Sequence, residues 1–270
     1  MSLRPELSGT PTGPVPVPAV VTALAGDDAV TPVWRNALGG LTFRLDGGDG
    51  VRYVKWVAAG TPEIDLPGEA ERLAWAWPWA RVPPVLGHGS DAEGSWLVTA
   101  AVDGRSAVEA RWKAEPAVAA AAIGRGLRLL HDALPVDRCP FDWDVPRRLG
   151  RVDERIAEGD GTAEWSPEHR RLGVVEARAL LDAPPEVDRL VVCHGDACAP
   201  NTLLGDDGSF AAHVDLGSLG VADRWADLAV ATWSLGWNFG PGLDDVLLDA
   251  YGIDPDQRRT AYYRLLYDLA

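Results

Sequence analysis

Residues 190–215 read LVVCHGDACAPNTLLGDDGSFAAHVD, and the fold turns on how this stretch reverses on itself. The apolar run 189–193 predicts a buried strand. His194-Gly195-Asp196 breaks it into a loop that Pro200 keeps from becoming a helix. A second apolar stretch, 201–204, then meets Gly205-Asp206-Asp207-Gly208 and returns as 210–214. That pattern predicts a hairpin, because an Asp/Gly turn supplies the positive φ angles of a tight reversal. A hairpin brings its ends together, so Asn201 and Asp215 should lie side by side with Asp196 close by.

Two oxygen ligands and a free carboxylate suit Mg²⁺, which takes one or two hard protein oxygens and fills its octahedron with water and phosphate. Protein kinases carry H-R-D-x-x-x-x-N, where the Asp accepts the substrate hydroxyl proton and the Asn holds metal, followed by a second metal-binding Asp in D-F-G. Here His194-Gly195-Asp196 precedes Asn201 with that spacing, and Asp215-Leu216-Gly217 stands at the second position. An isolated His-Gly-Asp is ordinarily a plain turn. The spacing, the hairpin and the second acid together point to phosphoryl transfer.

The segments VVCHGDACAPN (191–201), VDLGSLGVADRWADLAVAT (214–232) and AYYRLLYD (261–268) resemble the aminoglycoside phosphotransferases, especially those that modify the 3′-hydroxyl of kanamycin- and neomycin-type antibiotics. The likeness covers most of the chain and is weakest over the first thirty residues. It implies an α+β, two-lobed, protein-kinase-like fold, with a small β-rich N-lobe over 20–101 and a larger, mainly helical C-lobe over 102–270. A Pro-rich lead-in occupies 1–19, with four prolines between Pro11 and Pro18. It also implies ATP and Mg²⁺ as cofactors, Asp196 as base, and Asn201 and Asp215 as metal ligands. The product of such an activity would be an inactivated drug and hence antibiotic resistance.

Nearer the N-terminus, 41–45 and 51–57 flank Asp46-Gly47-Gly48-Asp49-Gly50 and predict another hairpin. Lys55 stands on its second strand. A mid-strand lysine ordinarily marks an exposed face; in a kinase-like lobe it contacts the α and β phosphates and pairs with a glutamate on the next helix. Glu69 is the candidate and Glu71 its rival, on a different helix face because two residues rotate by about 200°. The likeness reads 36–42 as a flap over the phosphates, and places adenine against backbone near Thr99 and Ala101 in the predicted strand 95–102. Ala100-Ala101 replaces a glutamate common in relatives, leaving ATP-versus-GTP preference open. The chain has no G-x-x-x-x-G-K-[ST], which disfavours a P-loop NTPase.

Residues 116–133 carry apolar positions at helical spacing, with His131 as a structural or capping residue. A further helix opens at 223–227, where Asp227 either braces the catalytic loop, as the likeness implies, or is a first-turn acid complementing the helix dipole. In the acceptor region Trp237, Asn238 and Tyr267 stand where the likeness would put carboxylates, and Ser218 replaces an arginine. Trp233 and Trp237 could stack on a sugar ring or hold a cation. The acids left for ammonium groups are Asp160, Glu164, Glu168, Asp268 and the Ala270 carboxylate, each of which also reads as a solvated charge.

Composition is consistent with one substantial core or two smaller lobes: 270 residues, 47% hydrophobic. No apolar run approaches the ~20 residues of a membrane span and no N-terminal signal pattern appears, so the expected setting is cytoplasmic, with no membrane partner. Cys139, Cys193 and Cys198 form neither a disulfide framework nor a C-x-x-C pattern. The 25 basic and 40 acidic residues give a formal charge of −15. That field repels nucleic acid and suits a polycationic small molecule, although acidity also serves solubility. Two other functions fit the same residues: phosphoryl transfer to a macrolide, nucleoside, peptide or other metabolite, and a catalytically silent nucleotide-binding homologue. A protein-substrate kinase is disfavoured, since no A-P-E follows Asp215. The oligomeric state is left open.

Overall fold

A computed structural model describes residues 8–48, 50–159, 162 and 165–270. The chain divides after Asp103 into two compact units.

The first unit opens with helix α1 (Ala19–Ala25) and builds a five-stranded antiparallel sheet from β1 (Ala29–Arg35), β2 (Leu41–Gly47), β3 (Gly50–Ala58), β4 (Val85–Ser90) and β5 (Gly94–Ala100), in the order β1-β2-β3-β5-β4. The expected hairpin is β2–β3. Alternation along β2 sends Leu41, Phe43 and Leu45 into a core shared with Val54, Val98, Val21 and Ala25, as the period of two requires. Helix α2 (Leu66–Ala76) lies between β3 and β4 in sequence; Pro67 sits in its first turn and Asp65 caps it by accepting from the Gly68 N–H at 2.9 Å. Its buried stripe includes Glu69, Ala70, Leu73 and Ala76. Strand β5 stops at Ala100, two residues before the predicted end.

The second unit is mainly helical: α3 (Ala110–Ala114), α4 (Pro116–Ala133), α5 (Val145–Ala157), α6 (Pro167–Arg170), α7 (Gly173–Leu181), α8 (Trp225–Phe239), α9 (Asp244–Tyr251) and α10 (Gln257–Leu269). Two small sheets are set among them. One pairs β7 (Leu190–Cys193) with β10 (Gly220–Asp223), and the other orders β6 (Arg105–Ser106), β8 (Thr202–Leu204) and β9 (Phe210–His213). Strand β6 has no counterpart in the sequence reading, since two residues are too few to show a period. Helix α4 carries Gly124 where it meets α9; a Cβ there would lie 2.2 Å from the Leu247 carbonyl oxygen, so the close approach depends on glycine. The core is continuous from α4 through β7 to α8 and α10, with Ile123, Val191, Leu228 and Leu266 at 0% exposure. No helix among the described residues is long and apolar enough to cross a membrane.

Candidate active site

The loop after β7 is fixed by one buried carboxylate. Asp227, in the first turn of α8 and 0% exposed, accepts from the His194 backbone N–H at 2.6 Å through Oδ2 and from the Gly195 N–H at 2.9 Å through Oδ1. His131 at the end of α4 places Nε2 2.9 Å from the same Oδ2, and its Nδ1 lies 2.9 Å from the Tyr251 hydroxyl. Burial by itself would raise the Asp227 carboxyl, but the His131 hydrogen bond, the His131 and His194 rings and the Gly195 amide outweigh it and hold the group below its usual range. Of the two readings open to Asp227, the structure selects the brace. His131, Cys193 and Asp227 bring three ligand-type atoms within 4.8 Å, all buried. Hydrogen bonds engage them: the Cys193 thiol donates to the Asp223 carbonyl at 3.3 Å, and burial pushes its pKa well up.

Gly195 has φ +85°, and a Cβ on it would sit 2.0 Å from the Ser218 carbonyl oxygen. Only glycine fits. Beyond it, Asp196 is held at both carboxylate oxygens. The Tyr267 hydroxyl donates to Oδ1 at 2.9 Å and Asn201 Nδ2 to Oδ2 at 3.0 Å, with a second Asn201 bond to the Asp196 carbonyl at 3.0 Å. Residues 199–201 form one turn of 3₁₀-helix rather than an open loop. Pro200 stands early in that turn, where a missing N–H is tolerated, and Ser234 Oγ on α8 accepts the Ala199 N–H at 2.9 Å.

The β8–β9 hairpin forms where expected, with Thr202 opposite His213. The Val214 N–H donates to the Asn201 carbonyl at 2.9 Å, which sets Asp215 one residue beyond Asn201's pairing partner. The same corner is tied to the loop by His194 Nε2, 3.0 Å from the Val214 carbonyl. Asp215 is exposed and adopts φ 67°, a left-handed conformation seldom taken by a residue other than glycine and concentrated at functional sites. Because Asn201 Nδ2 is engaged with Asp196, its amide Oδ1 is the atom left for a cation. Asn201 and Asp215 thus offer the hard oxygens that Mg²⁺ prefers, and the residues fit that ion.

In the N-terminal unit Lys55 Nζ lies 2.7 Å from Glu69 Oε1, with Glu69 only 4% exposed. Glu71 is exposed. Thr99 lies in β5 opposite Tyr53, and Ala101 follows the strand with its N–H donated to the Val51 carbonyl at 3.1 Å. That amide is therefore engaged within its own sheet.

The residues assigned to the acceptor divide. Asp160 and Glu164 lie outside the described residues. Trp237 packs on Trp233 with centroids 4.8 Å apart, and Trp233 in turn meets His169 at 5.4 Å and the edge of Tyr267 at 6.5 Å. Asp268, expected to grip an ammonium group, accepts from the Ser166 N–H and sits against His169 Nδ1, both at 2.7 Å through Oδ2. The Ala270 carbonyl oxygen takes a 3.1 Å hydrogen bond from Arg155. Sequence reasoning missed the Tyr267 bond to Asp196, noting that tyrosine only as a replaced carboxylate. It also missed the Ser234 contact.

The sequence model of the phosphotransferase enzyme family matches residues 30–263. An aminoglycoside 3′-phosphotransferase from Streptomyces ribosidificus is 37% identical over 251 residues, covering 84% of this chain and 90% of that protein. Among solved structures, an aminoglycoside-3′-phosphotransferase of type VIII superposes with a TM-score of 0.80 at 33% identity, covering 93% of this chain and 97% of the other. Aminoglycoside phosphotransferase APH(3'')-Id from Streptomyces rimosus, in complex with ADP and streptomycin, gives 0.74 at 30% identity, covering 92% and 95%. The β-rich first unit and the larger helical second unit are the two lobes of the protein-kinase-like fold these enzymes share, and the chain belongs to the aminoglycoside phosphotransferase family.

Proposed function

We propose that this protein transfers the γ-phosphoryl group of ATP, with Mg²⁺, to a hydroxyl of an aminoglycoside antibiotic and so confers resistance. The observation that carries the reading is Asp196, held at both oxygens on a loop that Asp227 anchors, beside a hairpin end bearing Asn201 and Asp215. Bound Mg·ATP supplies the transferable phosphoryl group and charge neutralisation for a loose transition state. Asn201 Oδ1 and the Asp215 carboxylate hold the metal. Lys55, aligned by Glu69, takes the α and β phosphates, and the backbone around Thr99 and Ala101 receives the adenine.

Asp196 orients the acceptor hydroxyl and accepts its proton. A carboxylate has about four lone-pair sites, so the bonds from Tyr267 and Asn201 leave room for that proton. This demands alignment more than covalent chemistry, which suits a carboxylate held from both sides. The ADP and streptomycin bound by the Streptomyces rimosus relative support the nucleotide and substrate class. Trp233 and Trp237, partly exposed on α8, favour an acceptor gripped by stacking on a sugar face as well as by charge.

ADP release from Mg·ATP is the test, over a panel of kanamycin, neomycin, streptomycin, a macrolide and a nucleoside. Turnover is expected with an aminoglycoside. Asp196→Ala is expected to bind ATP and to lose turnover; near-wild-type turnover would refute the assignment. Turnover with the macrolide or nucleoside alone would move the acceptor to the other class.

A further inference from the structure

The carboxylate assigned as base is held by a residue outside its own loop, on the last helix of the chain. We infer that Tyr267 is a positioning residue for the transfer step, its hydroxyl fixing the Asp196 carboxylate in the orientation from which it takes the acceptor's proton; this rests on Asp196 being the base.

The geometry defines the direction of the bond. A phenol has one hydrogen, and with Asp196 Oδ1 at 2.9 Å that hydrogen goes to the carboxylate. The Cys198 sulfur lies 3.4 Å from the same hydroxyl, a second neighbour of the phenol oxygen. The directed bond is the one from Tyr267 O–H to Asp196 Oδ1. Burial pushes the phenol well above its usual range, with the nearby Asp196 charge adding to it, so it stays protonated and remains a donor.

The opposite oxygen is held by Asn201 Nδ2. Rotation of the carboxylate about its Cβ–Cγ bond would break both bonds at once. Tyr267 is itself fixed: Leu266 and Leu269 on either side of it are buried, the Tyr262 hydroxyl one turn and a residue earlier donates to the Leu181 carbonyl at 3.0 Å, and Trp233 meets its ring edge-on. A carboxylate at position 267, which the family likeness would have put there, has no proton to give and would repel Asp196. The tyrosine therefore sets this chain's base by a device of its own, and links it to the aromatic pair Trp233 and Trp237.

Steady-state kinetics of the full chain test this, reading ADP release from Mg·ATP with kanamycin and, separately, with water as the acceptor. Tyr267→Phe keeps the ring and its packing. Loss of one hydrogen bond to a charged group is expected to lower kcat about ten- to thirty-fold, while KM for ATP and the melting temperature stay close to wild type. In an Asp196→Ala background the same substitution is expected to cause no further loss, because the residue acts only through that carboxylate. Wild-type kcat in Tyr267→Phe, alongside an inactive Asp196→Ala, would overturn the inference and leave the base assignment standing. An equal loss in both backgrounds would also overturn it, since a purely structural role predicts that result. Undiminished turnover in Asp196→Ala would remove the base assignment, and the inference with it.

Discussion

Replacing Asp227 by asparagine tests the brace at the root of the catalytic loop. The wild-type carboxylate receives three bonds: the backbone N–H of His194 at 2.6 Å, that of Gly195 at 2.9 Å, and His131 Nε2 at 2.9 Å. The two backbone donors use different oxygens. An amide therefore meets one of them with its own NH₂ group in either orientation, leaving a buried donor unmet. An unsatisfied buried donor costs about 1–3 kcal/mol, and weakening the charged bonds adds about 1 kcal/mol. A destabilisation of about 3 kcal/mol follows, equivalent to a fall of about 6–12 °C in melting temperature for a chain of this size. Calorimetry and a urea midpoint at pH 7 measure it directly. The pH dependence has a definite sign. Asp227 is lowered in the fold from its ordinary 3.8, so its contribution is fully present above that value and is lost as pH falls through the lower folded value. The gap between wild type and variant should be full at neutral pH and close only below about 3.8. Equal stability at pH 7, or a gap that widens on acidification toward 3.8, would refute the reasoning.

Two further substitutions probe the neighbouring parts. Glu69→Ala removes the buried partner 2.7 Å from Lys55, and KM for Mg·ATP is expected to rise about ten-fold with the fold retained; an unchanged KM would show that the ion pair does not orient Lys55 for nucleotide. Gly195→Ala meets both the positive φ and the Ser218 carbonyl, so a loss of about 3 kcal/mol or more is expected, read as melting temperature and soluble yield. An alanine variant as stable as wild type would contradict the close contact.

The parts legible in the sequence were those whose causes are local. The β8–β9 hairpin was readable because Gly205-Asp206-Asp207-Gly208 dictates a reversal whatever surrounds it. Lys55 and Glu69 are 14 residues apart on consecutive elements, yet their pairing was read from family likeness, since neither the strand nor the helix pattern distinguishes Glu69 from Glu71. Asp227 could not be decided from sequence because a first-turn acid satisfies its own helix; packing against a loop 32 residues earlier made it a brace. Tyr267 and Asp196 are 71 residues apart and belong to elements that no local rule pairs. The Asp268 contacts were hidden for the same reason: its partners Ser166 and His169 lie about a hundred residues away, and an acid near a chain end looks like any surface charge.

Helix α8 presents two sets of side chains on two of its sides. Asp227 and Ser234, seven residues apart, project from nearly the same side of the helix and hold the two ends of the catalytic loop at His194-Gly195 and Ala199. Trp233 and Trp237, four residues apart, project from a different side, about 100° away around the axis. One rod therefore anchors the loop on one side and, on another, carries the aromatic pair proposed to meet the acceptor. Substitution at Trp233 or Trp237 leaves the Asp227 and Ser234 anchors of the loop in place and reaches Asp196 only through Tyr267, whose ring Trp233 meets edge-on.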